Sequence, residues 1–207
     1  VNLTDLGLAS NTTYTLFNAT SGLGFGTGTT YTLGTTPGGF GGNFTLSGND
    51  TIVQITTGVL ASGNLFWDGA TDNTWNGALN NFSTDKGGTL AAGDKPGAGN
   101  KIFFTSDGVA GTDLTTTLEE NFRVDSVTFE SSATTQGNVT IASGVDPTAR
   151  LDIAPASSAD GLTISSGGPT NVTISAPLVT GADQTWNVVD AASTLTIGGG
   201  LLGEADV

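Results

Sequence analysis

The sequence predicts an all-β protein whose main part is a β-solenoid, a parallel β-helix-like fold, with an additional hairpin-rich N-terminal part. Three observations predict this fold class. Thr and Gly are the commonest residues, at 36 and 32 of 207, whereas the helix formers Glu and Lys are sparse. Short runs alternate apolar and polar residues, with β-branched side chains that favour strands. A short apolar-polar-apolar phrase returns throughout the C-terminal part.

The N-terminal part is predicted to be a set of hairpins. Alternating runs near residues 13–17, 43–47 and 51–55 are predicted strands, and further ones lie at 101–105 and 126–130. Ser47-Gly48-Asn49-Asp50 predicts a hairpin turn, because Gly and Asn tolerate positive φ. Residues 1–64 are therefore predicted to be a hairpin-rich segment that closes a repeat module. Residues 65–207 are predicted to start the next module, with a turn-rich Trp segment followed by solenoid rungs.

Seven copies of the recurring phrase carry the solenoid prediction. Their last residues are spaced nine to fourteen positions apart, with Gly, Pro or Asn between the copies; these residues are Phe129, Ile141, Ile153, Ile164, Ile174, Val188 and Ile197. A β-sandwich also has strands at about this spacing. We favour the solenoid, with each phrase as one rung, because the phrases are nearly uniform and like side chains stack on each other from rung to rung.

Composition excludes several functional classes. Without His or Cys the chain has no Ser-His-Asp triad, no thiol nucleophile and no His/Cys zinc site. A net charge of −14 with five basic residues leaves no cationic surface for nucleic acid. The chain also lacks an apolar run of about 18 residues, the length needed for a membrane-spanning helix. Because it starts with Val1 and shows no signal-peptide pattern, we expect a processed or excised piece of something longer.

The order of several segments resembles a known family. These are LFWDG at 65–69, DNTWN at 72–76, KPGAGNKIFF at 95–104, VDSVTF at 124–129 and GADQTWNV at 181–188. In this order they resemble the autotransporter-associated β-strand repeat proteins, very long bacterial surface and secreted proteins. Residues 1–58 resemble the tail of such a module. The resemblance implies a β-helical, non-catalytic, exported fibre or adhesin at the cell surface or outside the cell, without a defined substrate.

The two ends of the chain read as consecutive parts of one module, which predicts assembly. An identical copy placed after Val207 would complete the unit, so the chain is interpreted as one period of a head-to-tail array of identical copies. The copies are either covalent tandem repeats or separate subunits joined by strand addition. Contact is expected between residues 1–8 and 194–207. The candidate assembly residues are Val1, Leu3, Leu6, Leu195, Ile197, Leu201, Leu202 and Val207.

Other candidate sites have a structural and a functional interpretation. We interpret Trp67 and Trp75 as structural residues that close the end of the stacked rungs, in preference to an aromatic surface on which a sugar could stack. Asp68, Asp72 and Asn73 are candidate Ca²⁺ ligands, although solvated turn carboxylates are the favoured interpretation. We expect no cofactor beyond loosely bound Ca²⁺. Possible glycosylation sites in Asn-x-Ser/Thr sequences are Asn2, Asn11, Asn18, Asn43, Asn49, Asn81, Asn138 and Asn171.

The sequence thus predicts a structural repeat unit of an extracellular fibre or cell-surface adhesin, with no catalysis. Two alternatives stay open: a carbohydrate-binding or carbohydrate-cleaving β-helix, with cell-surface glycans as partners, and a Ca²⁺-dependent adhesin module. A carbohydrate site would need an acidic groove with aromatic residues on one solenoid face. A Ca²⁺-dependent module would show a large melting shift on addition of EDTA.

Overall fold

The computed structural model describes residues 8–18, 32–34, 36, 38–40, 44–48, 52–58, 61–75, 81–104, 113–130, 137–156 and 159–203. Within these residues the regular elements are all strands. The first nine are β1 Thr13–Asn18, β2 Phe44–Gly48, β3 Ile52–Thr57, β4 Gly63–Trp67, β5 Phe82–Ser83, β6 Asn100–Phe104, β7 Leu114–Leu118, β8 Phe122–Val124 and β9 Ser126–Phe129. The others are β10 Val139–Ser143, β11 Leu151–Ile153, β12 Asp160–Ile164, β13 Asn171–Ile174, β14 Leu178–Thr180, β15 Thr185–Val188, β16 Thr194–Ile197 and β17 Leu201–Gly203. No helix in these ranges is long and apolar enough to cross a membrane.

The N-terminal part forms an antiparallel sheet in the order β1-β3-β2. The predicted hairpin joins β2 and β3, where Gly48 pairs with Val53, although its turn residues 49–51 lie outside the described ranges. Strand β3 buries Val53, Ile55 and Thr57 and turns the intervening residues outward. This period of two is the burial pattern that the alternating sequence predicts for a sheet with one covered face.

From β4 onward the described strands, except the antiparallel β5, form a parallel β-solenoid, as predicted. It has a first sheet in the order β15-β12-β9-β6-β4-β5, a second in the order β16-β13-β10-β7 and a third in the order β17-β14-β11-β8. Each coil contributes one strand to each sheet, so β6, β7 and β8 form one coil and β15, β16 and β17 form the last coil. The predicted module boundary between residues 64 and 65 falls inside β4, which already belongs to the first sheet.

The prediction that each recurring phrase forms a whole rung is wrong. Each phrase is one strand, and three strands close one coil: Phe129 lies in the first sheet, Ile141 in the second and Ile153 in the third. The pattern also missed three third-sheet strands, β8, β14 and β17, whose sequences are Phe-Arg-Val, Leu-Val-Thr and Leu-Leu-Gly. The long interval between Ile174 and Val188 arises because β14 lies between their strands.

Like side chains stack in register through the solenoid. In the second sheet, parallel pairing aligns Leu114, Val139, Val172 and Leu195 in one inward column. The neighbouring inward column contains Thr116, which is buried among Ile residues of the later coils. Its hydroxyl accepts a hydrogen bond from the indole N–H of Trp75 at 3.0 Å, so the buried polar group is satisfied.

Aromatic residues close the leading end of the solenoid. Trp67, Trp75 and Phe82 are all buried, and Phe82 meets each indole edge-on at centroid distances of 5.1 and 5.4 Å. Beneath them Phe104 stacks on Phe129 at 5.0 Å. Strand β5 pairs antiparallel with β4 and is bridged to Ala91 on its other side. We call residues 81–92 the cap; together with the Trp pair it seals this end.

Candidate functional site

The last coil is the candidate functional site, because its strands have partners on one side only. Strands β15, β16 and β17 are each paired with the coil below, through β12, β13 and β14. In the described part of the chain no strand pairs with their other edges. The outer edges of these three parallel strands are thus not covered by any other described strand, and an uncovered strand edge is the standard template for strand addition.

Core positions of the last coil are open to solvent as well. Leu201 is 55% exposed, whereas Leu178, directly below it in the same column, is 0% exposed. Val188 is 43% exposed and its neighbour Ile164 is 1% exposed. Trp186, Leu195 and Ile197 pack against the core but are only partly buried; these three therefore form, with Val188 and Leu201, an apolar end surface.

The end surface is uncharged although the protein is strongly acidic. Strands β15, β16 and β17 contain no Asp, Glu, Lys or Arg. The nearest described carboxylate on the turn after β15 is Asp190, which accepts backbone hydrogen bonds from Ala192 and Gly167. Both hydrogen bonds lower the pKa of Asp190 below its ordinary value, and the bond from Ala192 has the larger effect. The strands of the last coil are therefore uncharged on a molecule of net charge −14.

The predicted assembly residues divide into two groups. Leu195, Ile197, Leu201 and Leu202 all lie in the last coil, and the first three contribute to the end surface. Val1, Leu3, Leu6 and Val207 lie outside the described residues. Gly199 fixes the corner between β16 and β17, because a Cβ there would collide with the backbone carbonyl of Ala176 in the coil below.

The candidate Ca²⁺ ligands serve as turn acceptors. Asp68 accepts the backbone N–H of Ala70 at 2.9 Å, while Asp72 Oδ1 accepts both the N–H and the hydroxyl of Thr74 at 2.8 Å. Asn73 has an exposed side chain. Across the described ranges, no three acidic, His or Cys side chains are grouped so that they could hold a metal ion.

Asp68 and Asp72 have opposite electrostatic environments. Partial burial, reinforced by the nearby charge of Asp85, raises the pKa of Asp68 above its ordinary value. The pKa of Asp72 is lowered, chiefly because its ionised carboxylate accepts the hydrogen bonds of Thr74 and also one from Asn81. The two groups thus favour different protonation states, although they sit in the same turn-rich segment.

Asn81, one of the predicted glycosylation sites, is buried in this fold and its side chain is hydrogen-bonded within the protein. Its side chain is 1% exposed and its amide donates to Asp72 at 2.6 Å and to the carbonyl of Thr74 at 2.9 Å. Its oxygen accepts the backbone N–H groups of Thr71 and Asp72. Four other candidates are exposed: Asn11, Asn18, Asn138 and Asn171. Asn2, Asn43 and Asn49 lie outside the described residues.

The sequence interpretation missed an aromatic pair on the outer face of the first sheet. Phe66 and Phe103 are partly exposed and stack with centroids 5.3 Å apart, and the exposed Lys101 lies two residues along the same strand. The signal was present in the sequence, because both Phe66-Trp67 and Phe103-Phe104 are consecutive aromatic residues. In a strand, one member of such a pair must face outward.

Known proteins add no further assignment. Comparison with protein-family models, with characterised proteins and with solved structures gives no match for this chain.

Proposed function

We propose that this chain is a structural repeat unit of an extracellular fibre or bacterial cell-surface adhesin, which assembles head-to-tail through an open β end and performs no catalysis. The observation that carries the proposal is the change in burial between the last two coils. Leu178 is wholly buried by the coil above it, whereas Leu201 in the last coil is mostly exposed. A further turn of strand from an identical copy would bury the end surface as each earlier coil is buried.

The mechanism is mechanical. Every coil satisfies the backbone groups of the coil beneath it and covers its apolar columns, so adding strands at the open end extends the rod at no loss of hydrogen bonding. The acidic surface keeps neighbouring rods apart in solution, while the uncharged end surface lets copies join end to end. The resemblance of the segment order to autotransporter-associated repeats supports the extracellular or cell-surface location.

A matched pair of variants tests the proposal. Leu195→Lys places a charge in the end surface, whereas Thr196→Lys places the same charge on the exposed outer face of the same strand. We expect the wild type and Thr196→Lys to form rods that lengthen with concentration, seen by electron microscopy and sedimentation. Leu195→Lys should stay monomeric with an unchanged far-UV spectrum. A wild type that stays monodisperse at high concentration contradicts the proposal.

Carbohydrate binding is the second candidate, and the Phe66–Phe103 pair favours it. Stacked rings beside an amino group on an open sheet face form a surface on which a sugar ring can stack. A glycan array with wild type and Phe66→Ala tests this candidate. Glycan signals that the variant loses would support it, whereas an empty array together with repeating units in micrographs would favour the fibre.

A further inference from the structure

A row of outward-facing side chains crosses the first sheet from strand to strand, and its chemistry changes along the solenoid. Parallel pairing sets Phe66 beside Phe103 and continues from Phe103 to polar residues on the three later strands. We call this set the outer row; from the leading end it consists of Phe66, Phe103, Thr128, Thr163 and Asn187. All five side chains are partly exposed. With about 4.8 Å between neighbouring strands, the outer row is about 19 Å long.

An ammonium group without an ion-pair partner lies beside the aromatic end of the outer row. Lys101 precedes Phe103 by two residues, so both side chains leave the same face of the sheet. Lys101 is exposed and makes no ion pair with the described residues, whereas three of the other four basic residues do. Those three are Lys86, Lys95 and Arg123. Stacked rings beside such a cation suit a sugar that carries a carboxylate, because the sugar ring packs on Phe while its charge meets the ammonium group.

The charges around the outer row change sign farther along the sheet. Glu130 lies two residues after Thr128 on the same face, and its charge is already balanced by Lys86 at 2.9 Å. The exposed Asp160 lies on β12, two strands beyond Lys101 and therefore about 10 Å from it along the solenoid. A ligand carboxylate is thus favoured at the aromatic end and disfavoured beyond it. A chain with an acidic group on every sugar fits this pattern poorly, and the net charge of −14 opposes it further.

We infer that the outer row binds an extended oligosaccharide along the solenoid axis, with one acidic sugar at Phe66, Phe103 and Lys101 and neutral sugars beyond it. The inference rests on the carbohydrate candidate of the proposed function and names its ligand. The hydroxyls of Thr128 and Thr163 and the amide of Asn187 supply the donors and acceptors that neutral sugar hydroxyls need.

Within the described strands, neither of the other two sheets combines these groups on its outer face. The second sheet presents a column of hydroxyls without an aromatic ring or a cation: Thr115, Thr140, Thr173 and Thr196. In the third sheet the guanidinium of Arg123 already donates to Asp152 at 3.1 Å, and Val179 and Leu202 continue that column. The first sheet is therefore the face on which an acidic sugar can be read.

Three tetrasaccharides with the same β-1,4 linkage test the inference, because such chains are extended and differ only in charge. They are cellotetraose, its derivative with one glucuronic acid at the non-reducing end, and tetraglucuronic acid. Isothermal titration calorimetry at one fixed ionic strength gives the dissociation constants. For the wild type we expect the singly acidic chain to bind more tightly than the other two, by about two- to fivefold over cellotetraose.

Matched variants assign this preference to residues. Lys101→Gln should abolish the preference and leave the affinity for cellotetraose unchanged. Phe66→Ala should weaken all three chains by about two- to tenfold. Asp160→Asn should improve the binding of the fully acidic chain. Thr128→Ala should weaken the tetrasaccharides, whereas Thr140→Ala, the same change on the second sheet, should have no effect. Far-UV circular dichroism verifies that each variant is folded.

Equal wild-type affinities for cellotetraose and the singly acidic chain overturn the inference, as does a preference that Lys101→Gln retains. Tightest binding of the fully acidic chain also overturns it. In each of these cases the carbohydrate candidate stands if Phe66→Ala still weakens binding. Absence of binding by all three chains overturns the inference, and an empty glycan array as well removes the carbohydrate candidate. Rod formation is measured separately, so none of these results decides the fibre proposal.

Discussion

Leu195 stacks in register on Val172, but no residue of the described chain stacks on Leu195 in turn. Both belong to phrases of the same form, Asn-Val-Thr-Ile and Thr-Leu-Thr-Ile, and both point into the solenoid. Val172 is fully buried and Leu195 is not, so position in the stack and not residue chemistry determines their environment. The apolar end surface is therefore a property of the coil order.

Truncation of Phe104 should lower the free energy of unfolding much more than truncation of its neighbour Phe103. It is buried between Trp67 and Phe129, with ring centroids 6.0 and 5.0 Å away. Phe104→Ala should lower the free energy of unfolding by about 3–5 kcal/mol, because it removes buried surface and leaves a cavity. Phe103→Ala, next to it but facing outward, is the matched control and should cost much less. Urea unfolding followed by far-UV circular dichroism measures both, and equal losses would contradict the packing described.

Charge removal at Asp68 and Asp72 should have opposite effects on stability. The lowered pKa of Asp72 means that its ionised form stabilises the fold above its ordinary pKa, and that this contribution is lost as the pH falls through the lowered folded value. Asp72→Asn should therefore destabilise the protein at pH 7. The raised pKa of Asp68 means that its ionised form opposes folding at pH 7, a penalty that disappears as the pH falls below the ordinary value. Asp68→Asn should be neutral or stabilising at pH 7.

Denaturant midpoints of the two Asn variants and the wild type, measured from pH 7 down to pH 3, test this pair. The wild type should lose its advantage over Asp72→Asn toward the acid end. The wild type should have a lower midpoint than Asp68→Asn at pH 7, and this difference should shrink over the same pH range. Parallel pH curves for all three proteins would show that neither carboxylate is coupled to folding.

Gly199 and Gly198 should respond differently to the same added methyl group. A Cβ on Gly199 would overlap the backbone of Ala176, whereas a Cβ on Gly198 would meet nothing closer than 3.8 Å. Gly199→Ala should cost about 1–3 kcal/mol by forcing the two coils apart. Gly198→Ala should be close to neutral. Amide hydrogen exchange should show the loss concentrated in β16 and β17, and a uniform change across the solenoid would contradict a corner-specific effect.

The sequence predicted the strands and the solenoid because both follow from local pattern. It could not predict how many strands close one coil, since periodicity reports spacing and not curvature. Strands β8, β14 and β17 went unnoticed because Phe-Arg-Val, Leu-Val-Thr and Leu-Leu-Gly lack the recurring phrase. Leu195 and Ile197 were predicted as assembly residues, but their exposure depends on the absence of a described coil above them. The burial of Asn81 depends on contacts with Asp72 and Thr74, which only the folded turn brings within reach.

Trp186 should report directly on whether the last coil is covered. Trp67 and Trp75 are buried in the closed end, while Trp186 is partly exposed in the last coil and donates its indole N–H to Gln184. In monomers, acrylamide should therefore quench Trp186 and leave the other two Trp emissions nearly unchanged. Trp186→Phe should remove the quenchable fraction and serves as the control. If strands add over the last coil, the quenchable fraction of the wild type should fall as rods form, whereas rods with undiminished quenching would place the join somewhere other than this coil.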